Sequence, residues 1–163
     1  MTLEVYLYVK CLKMVDVRQK GATAETVVRD ALRKATSLKW ERVPGSGALD
    51  PKHGLKADLY VPGEKNLYAV EVKHYKESHL DYSVLTGKNP QLLDWWEQAE
   101  RQGRQVDKEP LLVFKHDRSK LFVAFKSMPT ADYRYMFISA LGYEFYCALL
   151  DDWLTNEQPK FIA

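Results

Sequence analysis

A chain of 163 residues has the length of one domain, and roughly 70% of its unfolded surface is buried on folding, enough for a full core. Its 46% hydrophobic and 28% charged content is ordinary for a globular protein, and no apolar run reaches the ~20 residues of a transmembrane helix, which excludes that class. A net charge of only +2 means that any nucleic-acid surface must be local, and two cysteines without metal-ligand spacing, Cys11 and Cys147, exclude a disulfide scaffold or zinc site.

Residues 1–13 are apolar, but Glu4 and Lys10 interrupt them and no small-residue cleavage site follows. This predicts a strand or leader turn rather than an export signal, and with free thiols it predicts a cytoplasmic, DNA-associated protein. From residue 22 to about 36, Ala24, Val27, Val28, Ala31, Leu32 and Ala35 recur at spacings of three and four, the pattern of an amphipathic helix, with Glu25 in its first or second turn. Residues 38–43 alternate as a strand and stop at Pro44-Gly45-Ser46-Gly47, a loop whose irregularity continues to about Gly54.

Strands are predicted at about 56–61 and 66–74, joined by Pro62-Gly63, where Pro fixes φ and Gly permits a positive one. A long polar connection over 75–89 leads to a helix opened by Pro90 and stopped near Gly103. Residues 111–114 and 121–125 form a hairpin through His116-Asp117-Arg118-Ser119. The tail from 132 to about 154 is predicted helical, because Phe137, Leu141, Phe145, Leu149 and Trp153 recur every four residues.

The chemistry concentrates where Asp58 stands thirteen positions before Glu71, across the strand, turn, strand. Alternation puts Leu67, Ala69, Glu71 and Lys73 on one face and Tyr68, Val70 and Val72 on the other. Asp58 and Glu71 become spatial neighbours, and two carboxylates with one ammonium around a point form a cluster suited to holding a divalent cation and activating water. Hard oxygen donors with open positions suit Mg²⁺ better than His or Cys would. The bland alternative is a solvated strand end with a Glu71–Lys73 ion pair.

His53, His74, His79 and His116 lack partners at zinc-ligand spacing. Trp40, Trp95, Trp96 and Trp153 serve either as core or as stacking platforms for unpaired bases. Gln91 and Gln98 share the second long helix, either touching a phosphate or on a solvated face.

Lys20-Gly21 followed by Glu25, then Arg42-Val43-Pro44-Gly45-Ser46-Gly47, then Asp58, then Ala69-Val70-Glu71-Val72-Lys73, in this order, resembles the PD-(D/E)XK nuclease superfamily, and most the archaeal-type Holliday junction resolvases. The resemblance covers about residues 19–126. It implies an α/β, restriction-endonuclease-like fold, a central mixed β-sheet flanked by helices; the length predicts a single domain over 1–163, and the periodicity of the tail an aromatic helical extension over 127–163.

It also implies that Asp58 and Glu71 bind Mg²⁺ or Mn²⁺, one ion or two, with Glu25 completing or supporting the shell and the Val72 backbone carbonyl contributing. Lys73 would orient the attacking water or stabilise the developing charge, and Ser46 would influence cleavage. DNA contacts fall to Arg18, Lys20, Arg42, Gly45, Ser46, Gly47, His74, Lys76 and Gln91. The implied activity is resolution of four-way junctions by a homodimer making paired cuts. Two other readings stay open: a nuclease for a flap, mismatch, restriction site or end, and a DNA-binding module without cleavage. The chain departs from the family pattern at Ala57, where a proline often precedes the aspartate, in the long 75–89 connection, and in the tail.

Overall fold

The protein was analysed as a computed structural model, which describes residues 21–44 and 57–163. A helix, α1, runs over residues 21–36, and its buried stripe is Ala24, Val28 and Leu32. Val27, counted with that stripe in the sequence, lies 45% exposed, because the face that meets the sheet is narrower than the apolar pattern. Ser37, at φ 58°, ends the helix and donates its N–H to the Arg33 carbonyl at 2.9 Å.

Seven strands follow in one sheet: β1 (Glu41–Arg42), β2 (Leu59–Tyr60), β3 (Tyr68–Tyr75), β4 (Glu109–His116), β5 (Phe122–Phe125), β6 (Tyr135–Ala140) and β7 (Tyr143–Leu149). Their order is β1-β2-β3-β4-β5-β7-β6. Only β3 and β4 are parallel, in register from Tyr68↔Glu109 to Tyr75↔His116, so the sheet is mixed. A parallel pair needs a crossover, and α3 (Gln91–Val106) supplies it after the short α2 (Ser83–Thr86).

Alternation along β4 shows the layering. Leu111 and Val113 pack with α1, Val70, Val72 and the C-terminal Trp153 and Phe161, whereas Leu112 and Phe114 pack with Leu92, Leu93, Trp95, Trp96 and Ala99 of α3. The central strands are thus buried on both faces, which is why β4 reads as an unbroken apolar run. This is the expected α/β fold, a mixed sheet flanked by helices. No described helix is long and apolar enough to cross a membrane.

Three expectations need correction. Gly103 does not stop α3. It lies inside the helix, where a Cβ would sit 2.6 Å from the Lys108 carbonyl oxygen, and Asp107 at φ 53° is the actual stop. The 75–89 connection contains a helical turn, α2, held down by buried Val84.

The largest difference is the tail, which is a hairpin of two strands and becomes helical only at α4 (Leu150–Asp152) and the π turn Trp153–Glu157. A spacing of four is also a multiple of two, so Phe137, Leu141 and Phe145 satisfy a strand period as well as a helical one. The aromatic content favours the strand. β7 pairs with β5, and Trp153 and Phe161 complete the core. Residues 127–163 are therefore not a helical extension but part of the same sheet.

The hairpin turns on Leu141 and Gly142, both at positive φ, 50° and 83°. A two-residue turn of this kind favours Asn-Gly, and Leu141 is 63% exposed, so its side chain contributes little burial. Leu141→Asn is expected to stabilise the chain by about 1 kcal/mol, seen as a higher midpoint in chemical denaturation.

Candidate active site

β2 is only two residues long, and the bend just before it, at residues 57–58, aims Asp58. Leu59 sits opposite Val70, while Asp58 also donates its N–H to the Val70 carbonyl at 2.8 Å. Two residues facing one is the arrangement of a β-bulge, a device that redirects a side chain. The Asp58 carboxylate then takes the next position along β3, accepting the Val72 N–H on Oδ2 at 2.7 Å. From the other side Val43 donates its N–H to the Asp58 carbonyl at 2.8 Å.

Ala57 accounts for the missing proline. It is 1% exposed and stands at φ 71°, whereas a proline ring locks φ near −65°. The backbone that precedes Asp58 here is one that proline cannot adopt.

Glu71 points to the α3 side of β3 and is 4% exposed. Its Oε1 accepts a hydrogen bond from Gln98 Nε2 at 2.9 Å and lies 3.4 Å from Lys73 Nζ. Its Oε2 is buried without a hydrogen-bond partner. An orphaned carboxylate oxygen in the interior carries a desolvation cost that the fold itself does not offset.

The electrostatics follow from this burial. Asp58 is pushed up to about 8, first by burial and then by the charge of Glu71, against the lowering pull of the Val72 hydrogen bond; Glu25 adds to the rise and Lys73 opposes it. Glu71 is also raised, by burial first, with Lys73 pulling it down and Glu25 pushing it up. Two buried carboxylates that resist ionising together are relieved by a cation between them. The carboxylates of Asp58 and Glu71 are hard oxygen donors, whose chemistry fits a divalent cation of the Mg²⁺ or Mn²⁺ kind.

Glu25 lies close enough for its charge to act on both Asp58 and Glu71. Its Oε2 is held by Arg42 Nε at 2.7 Å, and among the described residues no group of three or more His, Cys, Asp and Glu side chains is gathered as a metal shell. Its effect on Asp58 and Glu71 is electrostatic. Arg42 is thereby committed to Glu25, and His74 pairs with Asp117 at 2.9 Å. Lys76 is exposed. Gln91 opens α3, and it is Gln98, seven residues on, that reaches Glu71. Arg18, Lys20, Gly45, Ser46, Gly47 and His53 lie outside the described residues.

The tryptophans are core residues, as aromatics at helical or strand spacing usually are. Trp40, Trp95, Trp96 and Trp153 are all at most 3% exposed and fill the two halves of the core. His79 packs edge-on against Trp95 and Tyr75, and His116 stacks on Phe122, so neither is part of a metal cluster.

A protein family described as "Phage putative PDDEXK endonuclease" matches residues 16–161. Protein D14 of Escherichia phage T5 is 39% identical over 148 residues, which cover 86% of this chain and 92% of D14. No solved structure matches the chain. The family match runs through β6 and β7, beyond residue 126 where the resemblance read from the sequence ends.

Proposed function

The chain belongs to this phage PDDEXK endonuclease family, and from that premise we propose that it is a metal-dependent DNA endonuclease centred on Asp58, Glu71, Lys73 and the Val72 carbonyl. The observation that carries the reading is the pair of buried carboxylates, both raised, one with an orphaned oxygen and an ammonium at 3.4 Å. A structural ion pair would leave no buried acceptor unused.

A divalent ion bound there supplies Lewis-acid polarisation of the phosphoryl oxygen and a more acidic water. The residues do the positioning. The Val72 N–H fixes one Asp58 oxygen and leaves the other to a ligand, and Gln98 and Lys73 fix Oε1 of Glu71 and leave Oε2. Lys73, with its Nζ 3.4 Å from Glu71 Oε1, stabilises charge developing on the phosphate. Gln98 holds Glu71 in its orientation, as an outer partner of a metal ligand does.

The substrate favoured by the order of Glu25, the Pro44-to-Gly47 loop, Asp58 and Glu71-Val72-Lys73 is a four-way DNA junction, cut in pairs by a homodimer. A near two-fold substrate is matched by a two-fold protein. The test incubates the protein with a labelled four-way junction, a linear duplex, a flap and a single strand, each with Mg²⁺ or EDTA. Junction-selective, EDTA-sensitive products support the reading, and equal cutting of the linear duplex removes the junction from it. Binding without products in any arm is the outcome of a non-catalytic module.

Contacts dominated by phosphates make affinity depend steeply on salt, with log K falling by about 0.9 for each neutralised phosphate per unit of log salt. Junction binding in EDTA, measured across about 50 to 200 mM salt, is expected to show a slope of several units. A flat response contradicts it.

A further inference from the structure

Among the described residues, the two edges of the sheet differ in kind. β1 ends one side with two exposed charged residues, Glu41 and Arg42, a short and charged edge of the sort that resists pairing. β6 ends the other side with Tyr135-Met136-Phe137-Ile138-Ser139-Ala140. It has no charge, proline or bulge in its register with β7, and Tyr135, Met136 and Phe137 are 43%, 46% and 53% exposed.

The hairpin fixes which backbone groups are open. Ala140 and Tyr143 flank a two-residue turn and so exchange both their hydrogen bonds. By alternation Ile138 and Met136 also turn toward β7, and the N–H and C=O groups of Tyr135, Phe137 and Ser139 face outward. Among the described residues no backbone bond outside the sheet reaches these three.

We infer that β6 pairs antiparallel with β6 of a second copy about a two-fold axis at Phe137, making one continuous sheet. Outward groups must meet outward groups, which excludes an axis between two residues. An axis at Phe137 sets Tyr135 opposite Ser139 twice and Phe137 opposite its own copy, all hydrogen-bonded pairs. Met136 then faces Ile138 on the opposite face. Aromatic and aliphatic cross-strand pairs of this kind stabilise a sheet, and no like charges meet. An axis one residue later, at Ile138, would drive the Leu141-Gly142 turn against Tyr135.

A second copy is the occupant because this strand is complementary to itself. The inference deepens the homodimer of the proposed function and rests on that reading for why two centres are useful; the pairing itself needs neither DNA nor metal. Four strand spacings on each side and one across the axis, at about 4.8 Å each, set the two centres about 43 Å apart along the sheet.

The test is hydrodynamic and chemical, on the full chain without DNA. Sedimentation at micromolar concentration is expected to give twice the monomer mass, and Phe137→Lys is expected to weaken association at least tenfold while the circular dichroism spectrum is unchanged. In a Cys11→Ser background, Phe137→Cys is expected to cross-link under mild oxidation, since hydrogen-bonded antiparallel neighbours have Cα atoms about 5.5 Å apart, within disulfide range. Tyr135→Cys, whose copy lies about four residues further along the strand, or roughly 13 Å away, is expected not to.

A monomer, or a dimer that survives Phe137→Lys, overturns the interface, and the latter includes pairing through any other surface. Cross-linking by Tyr135→Cys in place of Phe137→Cys overturns the register. A 1:1 complex of β6 with a peptide of another protein, with the chain itself monomeric, overturns the choice of occupant. Since none of these measurements involves cleavage, their failure is separate from failure of the nuclease reading.

Discussion

Asp58→Asn and Glu71→Gln are each expected to lower Mg²⁺-dependent cleavage by about 10²- to 10³-fold, the scale on which removal of a group that stabilises transition-state charge acts. Both changes keep shape and hydrogen bonding. In Asp58→Asn the new amide carbonyl still accepts the Val72 N–H, which Asp58 accepts at 2.7 Å. In Glu71→Gln the new carbonyl still accepts from Gln98. What disappears is the negative charge.

The same substitutions are expected to raise, not lower, the stability of the metal-free protein at pH 8. Burial and mutual repulsion disfavour the two charged forms, and a neutral amide removes that cost. Opposite movement of activity and stability is the signature of a strained functional site, whereas breaking a structural ion pair lowers stability. Single-turnover rates on a labelled junction, paired with denaturation in EDTA, measure both. Wild-type cleavage by either variant, with contaminating nucleases excluded, would move the centre elsewhere. Gln98→Ala, which removes only an orienting bond, is expected to cost about 10- to 100-fold.

The sequence carried the middle of this fold well, because there its signals did not compete. β3 pairs alternation with a Pro-Gly turn, α3 has a proline at its start, and the β4–β5 hairpin has a turn sequence of its own. The tail failed where two periods coincide, since Phe137, Leu141 and Phe145 satisfy both. Gly142, at φ 83° beside Leu141, marks the turn that separates the two strands. Gly103 has the look of a helix stop, but its reason is a close approach of the Lys108 carbonyl, which only the packed structure reveals.

That Asp58, Glu71 and Lys73 come close together was legible in the spacing, because adjacent strands joined by a tight turn leave few places for those side chains to go. Gln98 was not singled out over Gln91. Seven residues apart, the two share a helix face, and the choice depends on how far α3 slides along β3. The left-handed backbone at Ala57 has no sequence signature. Alanine is merely permitted there, while the proline of the family pattern is not.

Stabilisation of the protein by Mg²⁺ is expected to grow as pH rises from about 6 to about 8. The folded chain raises Asp58 from 3.8 to about 8, so between those values it binds a proton that the unfolded chain has released. Stability falls wherever the folded state holds more protons and pH increases. The contribution from Asp58 is therefore complete below about 4 and lost as pH passes through about 8. A cation must displace that proton, so its affinity weakens by about tenfold for each pH unit below 8 per proton released. The raised Glu71 acts in the same direction. Melting curves with Mg²⁺ and with EDTA should therefore separate more at pH 8 than at pH 6, since a ligand stabilises by its concentration relative to its dissociation constant. Calorimetric titrations in two buffers of different ionisation enthalpy count the proton directly. Asp58→Asn should shrink the pH-dependent part of the separation to what Glu71 contributes. An equal separation at both pH values, or a pH dependence unchanged by the substitution, would mean that the ion binds away from these carboxylates.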